Sequence, residues 1–314
     1  MLIESILRKE RPLNNWKEQA LTLFKEGVSK REISRKLNVP YTTLWEYLDS
    51  HGVEASIPKK VQRVLLLDIE SAPTKAHIWG RWKQNVGLSQ VLSEGYMLTY
   101  SAKWLGDELI MCNRIKRPED DKTIVEELAA LIDQADLIVA HNLVKFDWPT
   151  IKTRMVFHGM LPPKPVRIVD TMQIAKKAFR FPSNSLDSIA AYLGLERKLQ
   201  NSGMDLWNRC VLMDDYAMEE MLEYNRQDVV VLEQVYNRLA PWYNQHPSVA
   251  VLYDDGKQHC PLCGSESLQK IDKSAFTNTS EFDAYRCRGC GKVSRSKQSI
   301  RNKDSNKNTL INVI

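Results

Sequence analysis

The 314-residue chain lacks any apolar run approaching the ~18 residues that cross a bilayer. Its opening, MLIESILRKERPLNN, has neither a long apolar stretch nor a small-residue cleavage site, so no secretory signal and no membrane partner are expected. Thirteen glycines and thirteen prolines are too few for a collagen-like or low-complexity chain. Six cysteines are too few for a disulfide scaffold of this size. No segment repeats at a solenoid period. What is left is a globular composition, 43% hydrophobic and 26% charged, long enough for two or three domains. The expected location is the cytoplasm.

Charge is present in both signs but unevenly placed. Residues 1–60 hold 11 Lys+Arg against 8 Asp+Glu, and residues 256–314 hold 11 against 5. The middle, 61–255, is mildly acidic, with 22 against 26. Basic ends suit a polyanion, and nucleic acid is the usual one.

The chain divides by pattern. Residues 1–55 contain three short helical stretches. Trp16, Ala20, Leu23 and Phe24 recur at helical spacing, Ser29 to Glu32 fits a capping box, and Leu44, Trp45 and Leu48 line a third helix from Tyr41. This arrangement resembles the helix-turn-helix units of resolvases and transposases. That resemblance implies a recognition helix from Tyr41, with Tyr41, Thr42, Thr43, Glu46 and Tyr47 facing DNA. Val53–Lys60 reads as a linker.

Residues 61–245 alternate strand and helix signals. Strands are expected at 63–69, 96–104, 108–115, 136–140 and 166–169. Helices are expected at 119–133, 146–158, 171–180, 185–193 and 214–239. The order predicts an α/β domain with a mixed sheet flanked by helices.

Within this domain, carboxylates fall where the apolar pattern predicts burial. Asp68 and Glu70 end the apolar strand Val64-Leu65-Leu66-Leu67 and, two residues apart, point to one face. Asn142 and Asp147 follow the buried strand at 136–140. Asp228 interrupts the core stripe of the last helix, with Tyr224 one turn before it. Clustering four bare carboxylates is costly, and divalent cations resolve the cost. An all-oxygen set selects Mg²⁺ or Mn²⁺, and two such ions form the arrangement that cleaves phosphodiesters. Asp170, before Thr171-Met172-Gln173, instead reads as a helix cap.

Asp-x-Glu on a first strand, Asn-x3-Phe-Asp after a later one, and Tyr-x3-Asp on a late helix resemble the DEDD 3′–5′ exonucleases. These are the DnaQ-like branch of the RNase H-like superfamily, here in its tyrosine subgroup. The resemblance implies that Asp68, Glu70, Asp147 and Asp228 hold two Mg²⁺ or Mn²⁺ ions. It also implies that Tyr224 positions the attacking water and that Asn142 contacts substrate or orders its turn. The implied substrate is nucleic acid, DNA with a free 3′ end, and the implied partners are replication or recombination proteins. A free-standing combination of this kind resembles enzymes of phage or prophage DNA metabolism, which would place it in the host cytoplasm. Two alternatives stay open: a transposase or recombinase, and a non-catalytic DNA-binding regulator with a nuclease-like core.

Residues 256–298 carry Cys260-Pro-Leu-Cys263 and Cys287-Arg-Gly-Cys290, separated by 23 residues that can form a hairpin. The spacing predicts a β zinc ribbon with one closed, structural Zn²⁺ on four thiolates. Residues 299–314 are expected to form a disordered basic tail.

Overall fold

The computed structural model describes residues 16–25, 28, 30–50, 62–253, 255–302, 307 and 309–310. The chain forms two compact units, Met1–Val61 and Gln62–Ile314.

In the first unit, α1 (Trp16–Lys25), α2 (Lys30–Leu37) and α3 (Tyr41–Ser50) match the three expected helices. Ala20, Phe24, Ile33, Val39, Leu44 and Leu48 form its core. Asn38 takes a left-handed conformation (φ 50°), a region that asparagine tolerates better than most side chains, and turns the chain between α2 and α3. The Ser29 cap, the Trp45 side chain and the Val53–Lys60 linker lie outside the described residues.

The second unit is built on a five-stranded sheet. Its strands are β1 (Val64–Ser71), β4 (Met97–Trp104), β5 (Ile110–Arg114), β6 (Leu137–Ala140) and β7 (Arg167–Asp170). A small hairpin, β2 (Lys75–Ala76) and β3 (Val91–Ser93), stands between β1 and β4. The sheet order is β5-β4-β1-β6-β7. The β1–β4 and β4–β5 pairs are antiparallel, and the β1–β6 and β6–β7 pairs parallel. This is the mixed sheet that the alternation of signals predicts.

The helices that follow are α4 (Lys122–Ile132), α5 (Asp147–Phe157), α6 (Thr171–Ala178), α7 (Leu186–Tyr192), α8 (Met204–Val211) and α9 (Asp215–Leu239). Successive strand residues point to opposite faces. On β4, Thr99 hydrogen-bonds Asn225 of α9, while Tyr100 reaches Glu127 of α4. The two helices therefore cover opposite faces. The Lys103–Glu233 ion pair and the Gly106 N–H donated to Glu233 (2.8 Å) pin α9 across β4. A buried Asp121 ties the far side together. It accepts from Arg154 Nε (2.7 Å) and Nη2 (2.8 Å) and from Met97 N (2.9 Å), and it pairs with His158 Nε2 (2.6 Å).

Helix α8 was not among the expected elements. Leu206, Cys210 and Val211 bury its inner face, so the stripe that predicts it was in the sequence. Cys112 is half-buried on β5 and accepts from Arg226 Nε (3.0 Å).

The cysteine-bearing segment forms a three-stranded antiparallel sheet of β8 (Leu268–Phe276), β9 (Glu281–Cys287) and β10 (Val293–Arg295). It packs on the α/β core. The Lys292 ammonium donates to Tyr243 O (2.8 Å), Val249 N to Pro261 O (2.8 Å), and Leu262 joins the core cluster. Ser299 Oγ and Ile300 N both donate to Glu281 O (2.9 Å each). The segment expected as a tail from 299 is thus held to the ribbon at its start.

Candidate active site

Parallel pairing of β1 with β6, and of β6 with β7, places their C-terminal ends at one edge of the sheet. Open α/β sheets present ligand-binding groups at that edge. Asp68 and Glu70 leave β1 there, opposite Ser101 and Thr99 of β4, and the register shifts between Glu70 and Ser71. Such a bulge ends regular pairing and re-aims the chain.

The turn after β6 supplies Asn142 and Asp147. Asn142 adopts φ 68°, and its N–H donates to Asp170 Oδ1 (3.0 Å), while Val144 N donates to Oδ2 (3.2 Å). Asp170 also caps α6, accepting from Met172 N and Gln173 N. The cap read from sequence therefore has a second task, which is to brace the turn that delivers Asp147. Asp147 opens α5, is 2% exposed, and accepts from the Ile69 N–H of β1. Asn142 itself lines a cleft of about 210 Å³ with Lys145, Asp170, Lys176 and Lys177.

Helix α9 brings the third group. Asp228 is 1% exposed, and its carboxylate lies with those of Asp68 and Glu70 so that one oxygen of each falls within 4.8 Å of the others. Asn225, one turn earlier and fully buried, donates from Nδ2 to Asp68 Oδ2 (2.7 Å) and accepts from Thr99 Oγ1 (3.3 Å). Tyr224 packs edge-on against Trp207 and borders a cleft of about 310 Å³.

The electrostatics follow from crowding. Burial first, then the charges of Asp228, Asp147 and Glu70, push Asp68 well above the usual carboxylate range. Burial, then Asp228, raises Glu70 to about 8. Burial raises Asp147 to about 7. Asp228 is raised to about 6, again by burial, against the pull of Lys198. The Lys198 ammonium stands 2.7 Å from Asp228 Oδ2 and 4.8 Å from the centre of the Tyr224 ring. Burial also raises the Tyr224 hydroxyl, which keeps it protonated at neutral pH.

Two tests bear on metals. Asp228 Oδ1 is buried without a hydrogen-bond partner, as an oxygen left for a cation would be. Asp68 and Glu70 each bring a carboxylate oxygen to the same point, and Asp147 lies close enough to Asp68 to raise it, a donor set that fits Mg²⁺ or Mn²⁺. In the ribbon, all four cysteine sulfurs cluster within 4.8 Å, with Cys260–Cys290 at 3.5 Å and Cys263–Cys287 at 3.6 Å. Tetrahedral Zn–S bonds of about 2.3 Å place sulfurs ~3.8 Å apart, so the cluster fits a zinc ribbon. His259 points away from it, bonding Asp255 and Gly264 O.

The structure thus brings Asp68, Glu70, Asp147, Tyr224 and Asp228 to one edge, with Asn142 on the turn that leads to Asp147. Lys198 and Asn225 were missed by sequence reasoning. Asn225 had a signal, being three residues before Asp228 on the same helical face. Lys198 lies in an irregular segment and had none. In the first unit Tyr41, Thr42, Thr43 and Glu46 are exposed on α3 as expected. Tyr47 is not outward. It is half-buried with its ring 5.2 Å from that of Trp16, because the third helix needs an aromatic contact to close on α1.

No curated protein matches the chain. The family B DNA polymerase from the hyperthermophilic archaeon Pyrobaculum calidifontis is similar in structure. The match has a TM-score of 0.44 and 20% sequence identity, covering 60% of this chain and 26% of that one. This chain therefore spans about a quarter of that polymerase's length. Residues 87–240 match the sequence model of the RNase H superfamily, a span that includes β4–β7 and α9 but begins after β1. The match places an RNase H-like superfamily domain at residues 87–240, just under half of the chain.

Proposed function

We propose that the chain is a two-metal-ion 3′–5′ exonuclease that hydrolyses phosphodiester bonds of DNA from a free 3′ end. The observation that carries this reading is the convergence of Asp68, Glu70 and Asp228, with Asp147 beside them, around the unpartnered Asp228 Oδ1. Crowded carboxylates escape their repulsion by protonation or by cationic company, and among the described residues Lys198 supplies such a cation beside Asp228.

Asp68, Glu70, Asp147 and Asp228 would hold the two ions. When bound, these would supply a polarised phosphate and an acidified water. The protein's own groups do the positioning. Asn225 fixes the Asp68 carboxylate through one hydrogen bond and is itself fixed by Thr99. Tyr224, kept protonated by burial, donates a hydrogen bond rather than taking a proton, which suits it to orient a nucleophile. Lys145, Lys176 and Lys177 beside Asn142 offer charge to the phosphates of the strand.

Around this core, the reading divides the chain into a DNA-binding helix-turn-helix at 1–55, the exonuclease domain at 61–245 and a zinc ribbon at 256–298 with one structural Zn²⁺. Tyr41, Thr42 and Thr43 are the exposed candidates for DNA contact on α3. Among the described residues, no helix is long and apolar enough to cross a membrane.

The deciding experiment is digestion of linear strands labelled at the 5′ or the 3′ end, and of circular DNA, with Mg²⁺, Mn²⁺ or EDTA. Stepwise loss from the 3′ end, dependent on metal and absent on circles, is expected. Asp68→Ala or Asp228→Ala should abolish it without unfolding the protein, since the first relieves carboxylate crowding and the second leaves a Lys198 that is 27% exposed and can turn to water. Cleavage of circles, or full activity in either variant, would overturn the reading.

A further inference from the structure

The hairpin segment between β1 and β4 is not used by the site described above. It leaves the sheet at the bulge after Glu70 and returns at Tyr96, where Ala72 N donates to Tyr96 O (2.8 Å). Its base is ordered by β2 and β3, with His77 N donating to Gln90 O (2.9 Å) and Gln90 Nε2 to His77 O (2.9 Å). Beyond that base every residue from His77 to Ser89 is exposed.

Two indoles stand at the tip. Trp79 is 98% exposed and Trp82 is 84% exposed, and neither ring contacts another aromatic ring or a cation among the described residues. Tryptophan is normally a large buried side chain, so two nearly bare rings three residues apart call for an occupant. The charge around them is of one sign. Lys75, Arg81 and Lys83 lie between Ser71 and Ser93, and no Asp or Glu does, although the domain as a whole is acidic. Arg81 and Lys83 make no ion pair among the described residues.

Flat aromatic faces interleaved with unpaired cations match a polyanion whose bases are free to stack. A duplex hides those faces, whereas a single strand exposes them. An acidic protein segment would satisfy the cations and leave the indoles without a reason. The position agrees: Trp79 is nine residues beyond Glu70, within about 30 Å along the chain at ~3.3 Å per residue.

We propose that the Trp79–Lys83 tip is a stacking platform for single-stranded nucleic acid, which grips the strand whose end enters the carboxylate site. The link to the carboxylate site rests on the exonuclease reading, while the binding itself does not.

The test is equilibrium binding of the full chain in EDTA, read by anisotropy of labelled oligo-dT, oligo-rU and a blunt duplex, each of about 20 nucleotides or base pairs. Trp79→Ala and Trp82→Ala should each weaken single-strand binding by about 5- to 150-fold, the range of one lost base stack. Duplex binding should change less than about twofold, within the scatter of distant surface substitutions. The paired Trp79→Phe, Trp82→Phe variant should keep most of the affinity, because phenylalanine retains a stacking face. Single-strand affinity unchanged by either alanine would overturn the platform and turn the patch over to a protein partner. Equal losses on strand and duplex, or no rescue by phenylalanine, would overturn it as well. EDTA separates this result from the exonuclease question. Tryptophan-dependent binding by a chain that digests nothing keeps the platform and sinks the nuclease, and normal digestion with tryptophan-independent binding does the reverse.

Discussion

Lys198 offers the sharpest test of the carboxylate cluster as a cation site. In the metal-free protein its ammonium, 2.7 Å from Asp228 Oδ2, is a near countercharge of Asp228, Asp68 and Glu70. Lys198→Met keeps much of the apolar stem and removes the charge. The size of the effect follows from the protonation states. Asp228 is raised by burial to about 6, so at pH 7 its ionised form is favoured by one pH unit, about 1.4 kcal/mol. Without Lys198 its pKa rises further, and it escapes the penalty by taking up a proton. The loss at Asp228 is therefore capped near that ~1.4 kcal/mol. Burial and crowding raise Asp68 and Glu70 so far that they are largely protonated at pH 7, so they add little, and the total stays at ~1.4 kcal/mol, below the ~3–5 kcal/mol of a broken buried pair that cannot neutralise. In a unit of this size that is about 3–6 °C of melting temperature. The assay is thermal unfolding of wild type and variant at pH 7, in EDTA and in saturating Mg²⁺. With Mg²⁺ the ions replace the ammonium as countercharge, and the deficit should vanish. It should also shrink in EDTA near pH 5, where Asp228 is protonated in the wild type too. A deficit of equal size in EDTA and Mg²⁺ would refute the countercharge role and assign Lys198 to packing.

Further outcomes follow from the same geometry. Tyr224→Phe keeps the contact with Trp207 and removes the hydroxyl, so steady-state digestion should slow by about 10–1000-fold with the metal requirement unchanged. Asp121 is pushed up by burial, but hydrogen bonds from Arg154, His158 and the Met97 N–H outweigh this and lower it. Its folded pKa is thus below the unfolded one, so its stabilisation is present above about pH 4 and is lost as pH falls through the depressed value. Asp121→Asn should cost ~3–5 kcal/mol at pH 7 in urea unfolding, by stranding Arg154, and should flatten the acid limb of the stability profile. Metal analysis of the purified chain should find one zinc, and Cys287→Ser should lose it. That variant should open β8–β10 to proteolysis while α9 stays protected, because the ribbon's fold depends on the ion and the sheet's does not.

Much of the site was legible in the sequence because its signals are local. Asp68 and Glu70 share a strand face by the period of two, and Asp228 interrupts a stripe of period 3.6, so burial and direction could be read without contacts. The cysteine pairs carry their ligand geometry in their spacing, and Asp170 carries its cap in the residues that follow it. Tertiary structure alone decided what meets across sequence distance. Asn225 reaches Asp68 from 157 positions away. Lys198 comes from a segment without period and becomes the resident cation of the cluster. Asp170 braces the Asn142 turn, Tyr47 faces Trp16 instead of solvent, and the ribbon is packed onto the core rather than standing apart. Period and spacing determine which face a residue takes on its own element. The partner it meets there depends on how elements stack, and stacking is settled by the packing of the whole core, which no local window contains.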